Sequence, residues 1–271
     1  MIDIRVASIN SFFDGVSVND LSTADWMLLH TRVFMGNYAM LDRLRAANRE
    51  VHPVEDVLNQ YRPDIVIVNE VIQSELQSKA LKILKKRGYH NPNLDALQEV
   101  NSKHRRGTLV VCNRSCVKLE VEIQRFPGGR FAAMRIPDWH LVVIGVQGTP
   151  FNNFIRKKQI STVQDYFESF REEGARVLVA GDFNMGVNSS SLSLPPGVGH
   201  FTRKSFPGPD FYDLIRSENS WSSRLLSVLL NLEKGPRNLD HVFYSSNLKH
   251  TSGEAVSTIS DHCALVSTFQ F

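Results

Sequence analysis

Residues 177–184 read Val-Leu-Val-Ala-Gly-Asp-Phe-Asn, and the fold class follows from this stretch together with others like it. Four apolar residues of strand length lead directly towards Asp182 and Asn184. Polar side chains at the end of a buried strand lie at the rim of a sheet, where functional loops begin. Taken alone, an Asp in this position is most often an ordinary turn or capping residue. The pair therefore indicates a site only if other strands end in the same way.

Other apolar runs of strand length also end or begin in a polar side chain. The residues concerned are Asn10, Glu70, Asp240, Asp261 and His262. If these strand ends meet at one rim, carboxylates, amides and an imidazole share a small volume. Crowded carboxylates repel one another, so a hard divalent cation with oxygen ligands is the expected occupant. Phosphoryl chemistry uses such a cation.

The remaining pattern predicts an α+β protein. Apolar runs of strand length recur from end to end, and some alternate apolar with charged residues, as at 117–123. Helical spacing follows Pro53 and recurs at 74–88 and 153–173. Proline and glycine between consecutive strands indicate hairpins. We expect a four-layer αββα sandwich of two mostly antiparallel β-sheets with helices on the outer faces.

Two segments depart from this pattern. Residues 11–52 carry aromatic residues and methionines at loose helical spacing, which predicts an added helical segment. Residues 186–210 contain four Gly, five Ser and four Pro, which predicts a long loop. We expect residues 1–271 to form a single domain, because strands at the two ends of the chain must meet at the same site.

Composition excludes several classes of protein. With 42% hydrophobic and 22% charged residues, the chain is not disordered, collagen-like or a disulfide scaffold. Its formal net charge of +3 permits a polyanionic partner without requiring one. No run approaches the roughly 18 apolar residues of a membrane span, and no export signal is visible. We expect an intracellular protein, with a monomer as the default.

Three motifs follow one another in the second half of the chain. Gly181-Asp182-Phe183-Asn184 precedes Asn238-Leu239-Asp240, which precedes Ser260-Asp261-His262. In this order, and with Asn10 and Glu70 upstream, they resemble the endonuclease/exonuclease/phosphatase superfamily. That superfamily includes deoxyribonuclease I-like nucleases, abasic-site endonucleases, tyrosyl-DNA phosphodiesterases, sphingomyelinases and inositol phosphatases. The resemblance spans nearly the whole chain and implies a Mg²⁺-dependent phosphodiesterase, most simply a nuclease acting on DNA or RNA.

The resemblance implies a metal site. Glu70 is the expected principal ligand, with Asn10 and Asp261 nearby. Mg²⁺ is the expected ion, and Mn²⁺ is expected to substitute for it. A cation there would polarise a phosphate oxygen and stabilise the developing charge.

The resemblance also implies roles for the catalytic residues, among which Asn10 is counted again. Asp182 is expected to orient or deprotonate the attacking water, and Asn184 to donate to the phosphorane oxygens. Asp240 and His262 are expected to form a carboxylate-imidazole pair whose imidazole contacts the phosphate.

Substrate contacts are expected from four residues. Many members of the superfamily have a His or Tyr after the strand at 141–146, but this chain has Gln147. A glutamine can hydrogen-bond a phosphate or leaving group but cannot act as a general acid. Arg156, on the following helix, matches a recurrent family feature. Arg105 and Arg106 lie before a core strand and are expected to track a phosphate backbone.

Two alternatives to a nuclease stay open at this point. The same chemistry suits a phosphatase or phosphodiesterase for inositol phosphates, lipids or other small phosphoesters. Because Gln147 replaces the usual His or Tyr, the chain also suits a catalytically weakened member that mainly binds nucleic acid.

Overall fold

The structure is a computed structural model, and it describes most of the chain. The described residues are 2–11, 15–16, 21–22, 25, 28–29, 32, 37, 39–48, 50–72, 78–90, 106–113, 120–122, 130–149, 153–185, 197–203, 238–260 and 262–271.

These residues form eleven strands and four α-helices. The strands are β1 (Asp3–Asn10), β2 (Ile65–Ile72), β3 (Arg106–Cys112), β4 (Glu120–Glu122), β5 (Arg130–Ile136), β6 (Leu141–Gln147), β7 (Arg176–Asp182), β8 (Val198–Thr202), β9 (Asp240–Ser245), β10 (Lys249–Val256) and β11 (Ala264–Gln270). The helices are α1 (Ala39–Ala47), α2 (Pro53–Tyr61), α3 (Lys79–Lys86) and α4 (Asn153–Glu172), with a 3₁₀ turn at Pro137–Trp139.

The strands form two sheets that pack face to face. One sheet has the order β10-β11-β1-β2-β3, and the other has the order β4-β5-β6-β7-β9-β8. In each sheet one pair of neighbours is parallel, β1 with β2 and β6 with β7, and the other pairs are antiparallel. A parallel pair brings two carboxyl ends to the same rim. Asn10 therefore lies beside Asn69, and Gln147 beside Asp182.

Alternation along each strand separates the layers. Ile65 and Ile67 of β2 face the other sheet and pack with residues of β5, β6 and β7. Val66 and Val68 face outward and pack against α2 and α3. The other sheet packs its own outward side chains against Phe167 and its neighbours on α4. The predicted αββα sandwich is confirmed.

The local sequence explains where the helices begin. His52 accepts a hydrogen bond from the Val54 backbone N–H through Nδ1, at 3.2 Å, and Pro53 occupies the first turn of α2. Ser78 caps α3 by accepting from the Leu81 N–H at 3.1 Å. The predicted helices after Pro53 and at 153–173 are confirmed. In the segment at 11–52, the described residues include α1 and a small apolar cluster made by Val16, Leu29 and Leu41.

Two strands differ from what the sequence predicted. Strand β8 lies inside the predicted loop at 186–210, where it forms the edge of its sheet beside β9. Strand β10 is the other missed strand, and it lies at the edge of the first sheet. Both of these edge strands carry few apolar residues, so apolar runs do not reveal them. Within the described part of the chain, no helix is long and apolar enough to cross a membrane.

Candidate active site

The inner face between the sheets becomes polar at one rim. Asp182 lies opposite Gln147 on one side and opposite Asp240 on the other. All three side chains are buried, and Asn10 of the facing sheet is buried with them. Deeper in the sandwich, the same inward-facing side of these strands carries core residues such as Ala180 and Val242. At the rim it carries the polar groups. The site is thus the polar end of the core between the sheets.

Asp182 is held by amide donors. Its Oδ1 accepts from the Asn184 backbone N–H, and its Oδ2 accepts from Asn184 Nδ2, both at 2.8 Å. Asn10 Nδ2 approaches the same Oδ2 at 3.5 Å from the other sheet. Asn184 has a positive φ of 51°, in the left-handed region that asparagine adopts more readily than other residues with a side chain. This backbone turn lets the backbone and side chain of one residue bind both carboxylate oxygens.

The electrostatic environment of Asp182 disfavours a negative charge. The pKa of Asp182 is raised to about 8, chiefly by burial; the charge of His262 and the Asn184 N–H oppose the rise, and the negative charges of Asp240 and Glu70 add to it. A buried carboxyl beside other carboxyls is the setting in which a cation is stabilised.

Asp240 and His262 form the predicted pair. His262 Nδ1 lies 2.6 Å from Asp240 Oδ2, and both side chains are buried. The His262 backbone N–H donates to Ser260 Oγ at 3.2 Å, which fixes the turn that carries the imidazole. Because Nδ1 is directed at Asp240, the pairing sets the orientation of the ring.

Glu70 lies where β2 is irregular. The pairing of β2 with β3 shifts register between Val68 and Val71, and Glu70 has a φ of 60°. Its Oε1 accepts from Gln147 Nε2 at 3.0 Å, a contact that joins the two sheets. The irregularity turns the Glu70 carboxylate towards the rim instead of along the alternation of the strand.

Arg156 and Gln159 fix the loop that follows β6. Arg156 Nη1 donates to the Thr149 carbonyl at 2.9 Å, and the Thr149 N–H donates to Gln159 Oε1 at 2.9 Å. Both side chains are buried. The adjacent Gly148 donates its N–H to the Asp182 carbonyl at 2.7 Å, and its own carbonyl accepts from Asn184 Nδ2 at 3.0 Å. A Cβ at position 148 would lie 2.3 Å from the Phe183 carbonyl oxygen, so only glycine fits.

Among the described residues, one group of His and acidic side chains could hold a metal ion. One ligand atom each of Asp182, Asp240 and His262 lie within 4.8 Å of one another. Asp240 and His262 already bind each other through Oδ2 and Nδ1, however. The carboxylates of Asp182 and Glu70 and the amide of Asn10 are hard oxygen donors, as Mg²⁺ requires. The residues present therefore fit a divalent cation at this rim.

Comparison with known proteins decides the family. A sequence model described as the Endonuclease/Exonuclease/phosphatase family matches residues 31–262. The chain belongs to this family. No curated protein sequence matches the chain.

Solved structures share the fold across the whole chain. D. rerio TDP2 complexed with single strand DNA product is 18% identical, with a TM-score of 0.62 and 100% of both chains covered. ANGEL2, described as a 2',3'-cyclic phosphatase, is 13% identical, with a TM-score of 0.61, 99% of this chain covered and 95% of that one. A Bacteroides vulgatus endonuclease/exonuclease/phosphatase is 14% identical, with a TM-score of 0.58 and coverages of 100% and 99%. Because these sequence identities are low, the comparison shows that the chain shares the fold of these proteins.

Several predicted residues of this family member lie beyond the described positions. Asp261 and Arg105 are outside the described residues, and Arg106 is described only as the first backbone position of β3. The structure brings together the predicted site residues Asn10, Glu70, Gln147, Asp182, Asn184, Asp240 and His262. Arg156 lies next to them, but its Nη1 binds the Thr149 carbonyl.

The sequence pattern missed some residues that support the site. Thr108 Oγ1 donates to Asn69 Oδ1 at 3.0 Å, and Asn69 is the residue that precedes Glu70. On the outer face of β9, His241 Nε2 lies 2.7 Å from the Met185 carbonyl and its Nδ1 lies 3.1 Å from His200 Nε2. Burial lowers the pKa of His200 to about 4, with the neighbouring His241 adding to the effect. Asn69 could have been found from the sequence, because it follows the inward-facing Ile67 by two residues and so faces inward as well.

Proposed function

We propose that this family member is a divalent-metal-dependent phosphodiesterase that hydrolyses phosphoester bonds, and that its substrate is a nucleic acid. One observation carries the proposal: Asp182, held by Asn184 and Asn10, lies in register with Asp240, which is bound to His262. A buried carboxylate beside a carboxylate-imidazole pair supplies a proton acceptor and a phosphate-binding group in one place.

A nucleic-acid substrate is supported by what is bound in a protein of the same fold. The D. rerio TDP2 structure is a complex with a single strand DNA product. We infer that DNA or RNA is the partner of this chain as well. A 2',3'-cyclic phosphatase activity is named for ANGEL2, so a nucleotide phosphoester belongs among the substrates to be tested.

Asp182 orients and deprotonates the attacking water in this proposal. Its two carboxylate oxygens are fixed by three donors, so the direction in which it accepts a proton is set before substrate arrives. Both amide hydrogens of Asn184 are engaged, one with Asp182 and one with the Gly148 carbonyl. Donation from Asn184 to the phosphorane oxygens therefore requires one of these bonds to exchange.

His262 binds the phosphate through its other ring nitrogen. Asp240 fixes Nδ1, so Nε2 is the atom directed away from the pair. A negative carboxylate in contact with Nδ1 favours an imidazolium, which can donate to a phosphate oxygen. Gln147 takes no part in proton transfer, because an amide does not exchange a proton near neutral pH.

Glu70, Asn10 and Asp261 would hold the metal, with Mg²⁺ proposed and Mn²⁺ as a substitute. When bound, such an ion offsets the negative charge that develops on the phosphate oxygens. Gln147 donates to Glu70 and so sets the direction of one ligand carboxylate before a metal binds.

We further propose that residues 1–271 form one domain. The pairing of β1 with β11, at the two ends of the chain, supports this proposal.

The experiment compares labelled single- and double-stranded DNA and RNA with a panel of small phosphoesters, in Mg²⁺, Mn²⁺ and EDTA. Cleavage of nucleic acid that requires metal and is lost in His262→Ala supports the proposal. The exposed histidine His140, changed to Ala, is the matched control and is expected to cleave normally. Binding of nucleic acid with no cleavage in either metal would assign the chain to the nucleic-acid-binding alternative. Cleavage of small phosphoesters alone would assign it to the alternative of a phosphatase or phosphodiesterase for small phosphoesters.

A further inference from the structure

An aromatic side chain is exposed at the start of α4. Phe154 is 80% exposed, more than any other large hydrophobic side chain among the described residues. The adjacent Ile155 is 38% exposed, but neighbouring residues of a helix point in different directions. An exposed aromatic ring offers a flat face on which an unpaired base can stack.

Two cations share the face of Phe154. Lys157 and Lys158 follow it by three and four residues, which places all three side chains on one side of the helix. Both lysines are exposed, and the first turn of α4 contains no acidic residue. We call Phe154, Lys157 and Lys158 the α4 face. Its charge complements a polyanion.

The α4 face begins at the same rim as the candidate active site, on the side of the helix that points away from the sheet. The helix follows β6, whose last residue is Gln147, and Arg156 in the same turn binds the Thr149 carbonyl. Side chains in a helix lean towards its N-terminus, which here is the end at the rim. A strand that extends from the site across this rim towards α4 would meet Phe154 first.

We propose that the α4 face binds single-stranded nucleic acid, with Phe154 stacking on an unpaired base and Lys157 and Lys158 contacting phosphates; this rests on the proposed function. Stacking on an exposed ring needs a base that is not already paired and stacked in a duplex. The opposite face of α4 packs against the sheet through Val163 and Phe167, so the helix cannot turn a broad apolar face to a membrane. The α4 face therefore suits a nucleic acid better than a lipid surface.

The test measures binding of a labelled single-stranded oligonucleotide by fluorescence anisotropy, with Asp182→Asn in every protein to prevent turnover. Phe154→Ala is expected to weaken binding by about 5- to 150-fold, the range that base stacking on an aromatic ring supplies. Phe154→Trp is expected to retain it. The control Val51→Ala, at a residue 53% exposed away from α4, is expected to change nothing. Lys157→Ala with Lys158→Ala is expected to reduce the slope of log affinity against log salt by about 1.4.

The remaining outcomes separate the α4 face from the proposed function. Equal affinity of Phe154→Ala and its parent, with cleavage intact in the wild type, would overturn the α4 face and leave the proposed function standing. Binding that depends on Phe154, without cleavage in any metal, would support the α4 face and overturn the proposed function. An equal loss with duplex DNA would exclude base stacking. Loss of binding to phosphatidylserine vesicles alone would assign the face to membranes. Thermal unfolding midpoints equal to the parent's show that the variants are folded.

Discussion

Gln147 Nε2 donates a hydrogen bond to Glu70 Oε1 at 3.0 Å, which joins the last residue of one sheet's central strand to an irregular position in the other sheet. The family resemblance implies a His or Tyr at position 147. In this chain, the amide there has a partner, and that partner is the expected principal metal ligand. Gln147 is therefore integrated into the site and is more than the remnant of a lost acid.

Gln147→His tests this relationship. We expect the metal-dependent rate to fall by about 10- to 150-fold, since a hydrogen bond to a charged group contributes about 1.5–3 kcal/mol. The stabilisation of the protein by added Mg²⁺, read as a shift in thermal unfolding midpoint, should fall with it. A rate above that of the wild type would mean instead that position 147 only lacks a general acid.

Asp240→Asn tests the pair formed with His262. The amide keeps the shape but removes the charge beside Nδ1, so the imidazolium is no longer favoured. We expect the rate to fall by about 10²-fold or more and its dependence on pH to shift. The measurement is a profile of rate against pH for both proteins. Identical profiles would show that His262 acts independently of Asp240.

Arg156→Met tests the contact with the Thr149 carbonyl. Arg156 is 6% exposed, and its loss leaves the part-buried Thr149 carbonyl without this donor. We expect the free energy of unfolding to fall by about 1–3 kcal/mol, with a lower rate because Gly148 holds Asn184. Urea unfolding measures the first quantity. The exposed Lys86→Met is the control, and equal stability of the two variants would exclude the contact as a support.

Strand positions could largely be predicted from the sequence, because apolar runs and their polar ends are local features. The structure brings Asp182, Asp240 and His262 together at one rim, and their positions at the ends of apolar runs predict this proximity. The contact of Glu70 with Gln147 could not be predicted, because it crosses between sheets and depends on the φ of 60° at Glu70.

Arg156 shows a second limit of the sequence. Helical spacing places it in the first turn of α4 but does not tell whether the guanidinium faces solvent or turns back to the Thr149 carbonyl. The edge strands β8 and β10 show a third limit of the sequence. Strand β10 is mostly polar, and β8 contains Gly199 and His200 within a turn-rich segment, so neither has the apolar run that predicts a strand.

His200→Phe tests how pH affects folding. The folded-state pKa of His200, lowered to about 4, lies below its unfolded value of 6.5, so the unfolded chain binds more protons between these values. Stability is thus present above pH 6.5 and falls as the pH decreases towards 4. At pH 5 the cost for this half-buried ring is about 1 kcal/mol after solvent screening. We expect denaturant unfolding of the variant to lose less stability between pH 7 and 5, and an equal loss would contradict this.

The rate of metal-dependent oligonucleotide cleavage by Asp182→Asn, compared with Asp138→Asn, is the most direct measurement of the site. Asp182 is buried among its amide donors, whereas Asp138 is exposed in the 3₁₀ turn. Loss of the proton acceptor should lower the rate by about 10²- to 10⁴-fold, while Asp138→Asn should cleave like the wild type. Cleavage by Asp182→Asn at the wild-type rate would contradict the proposal that Asp182 activates the attacking water.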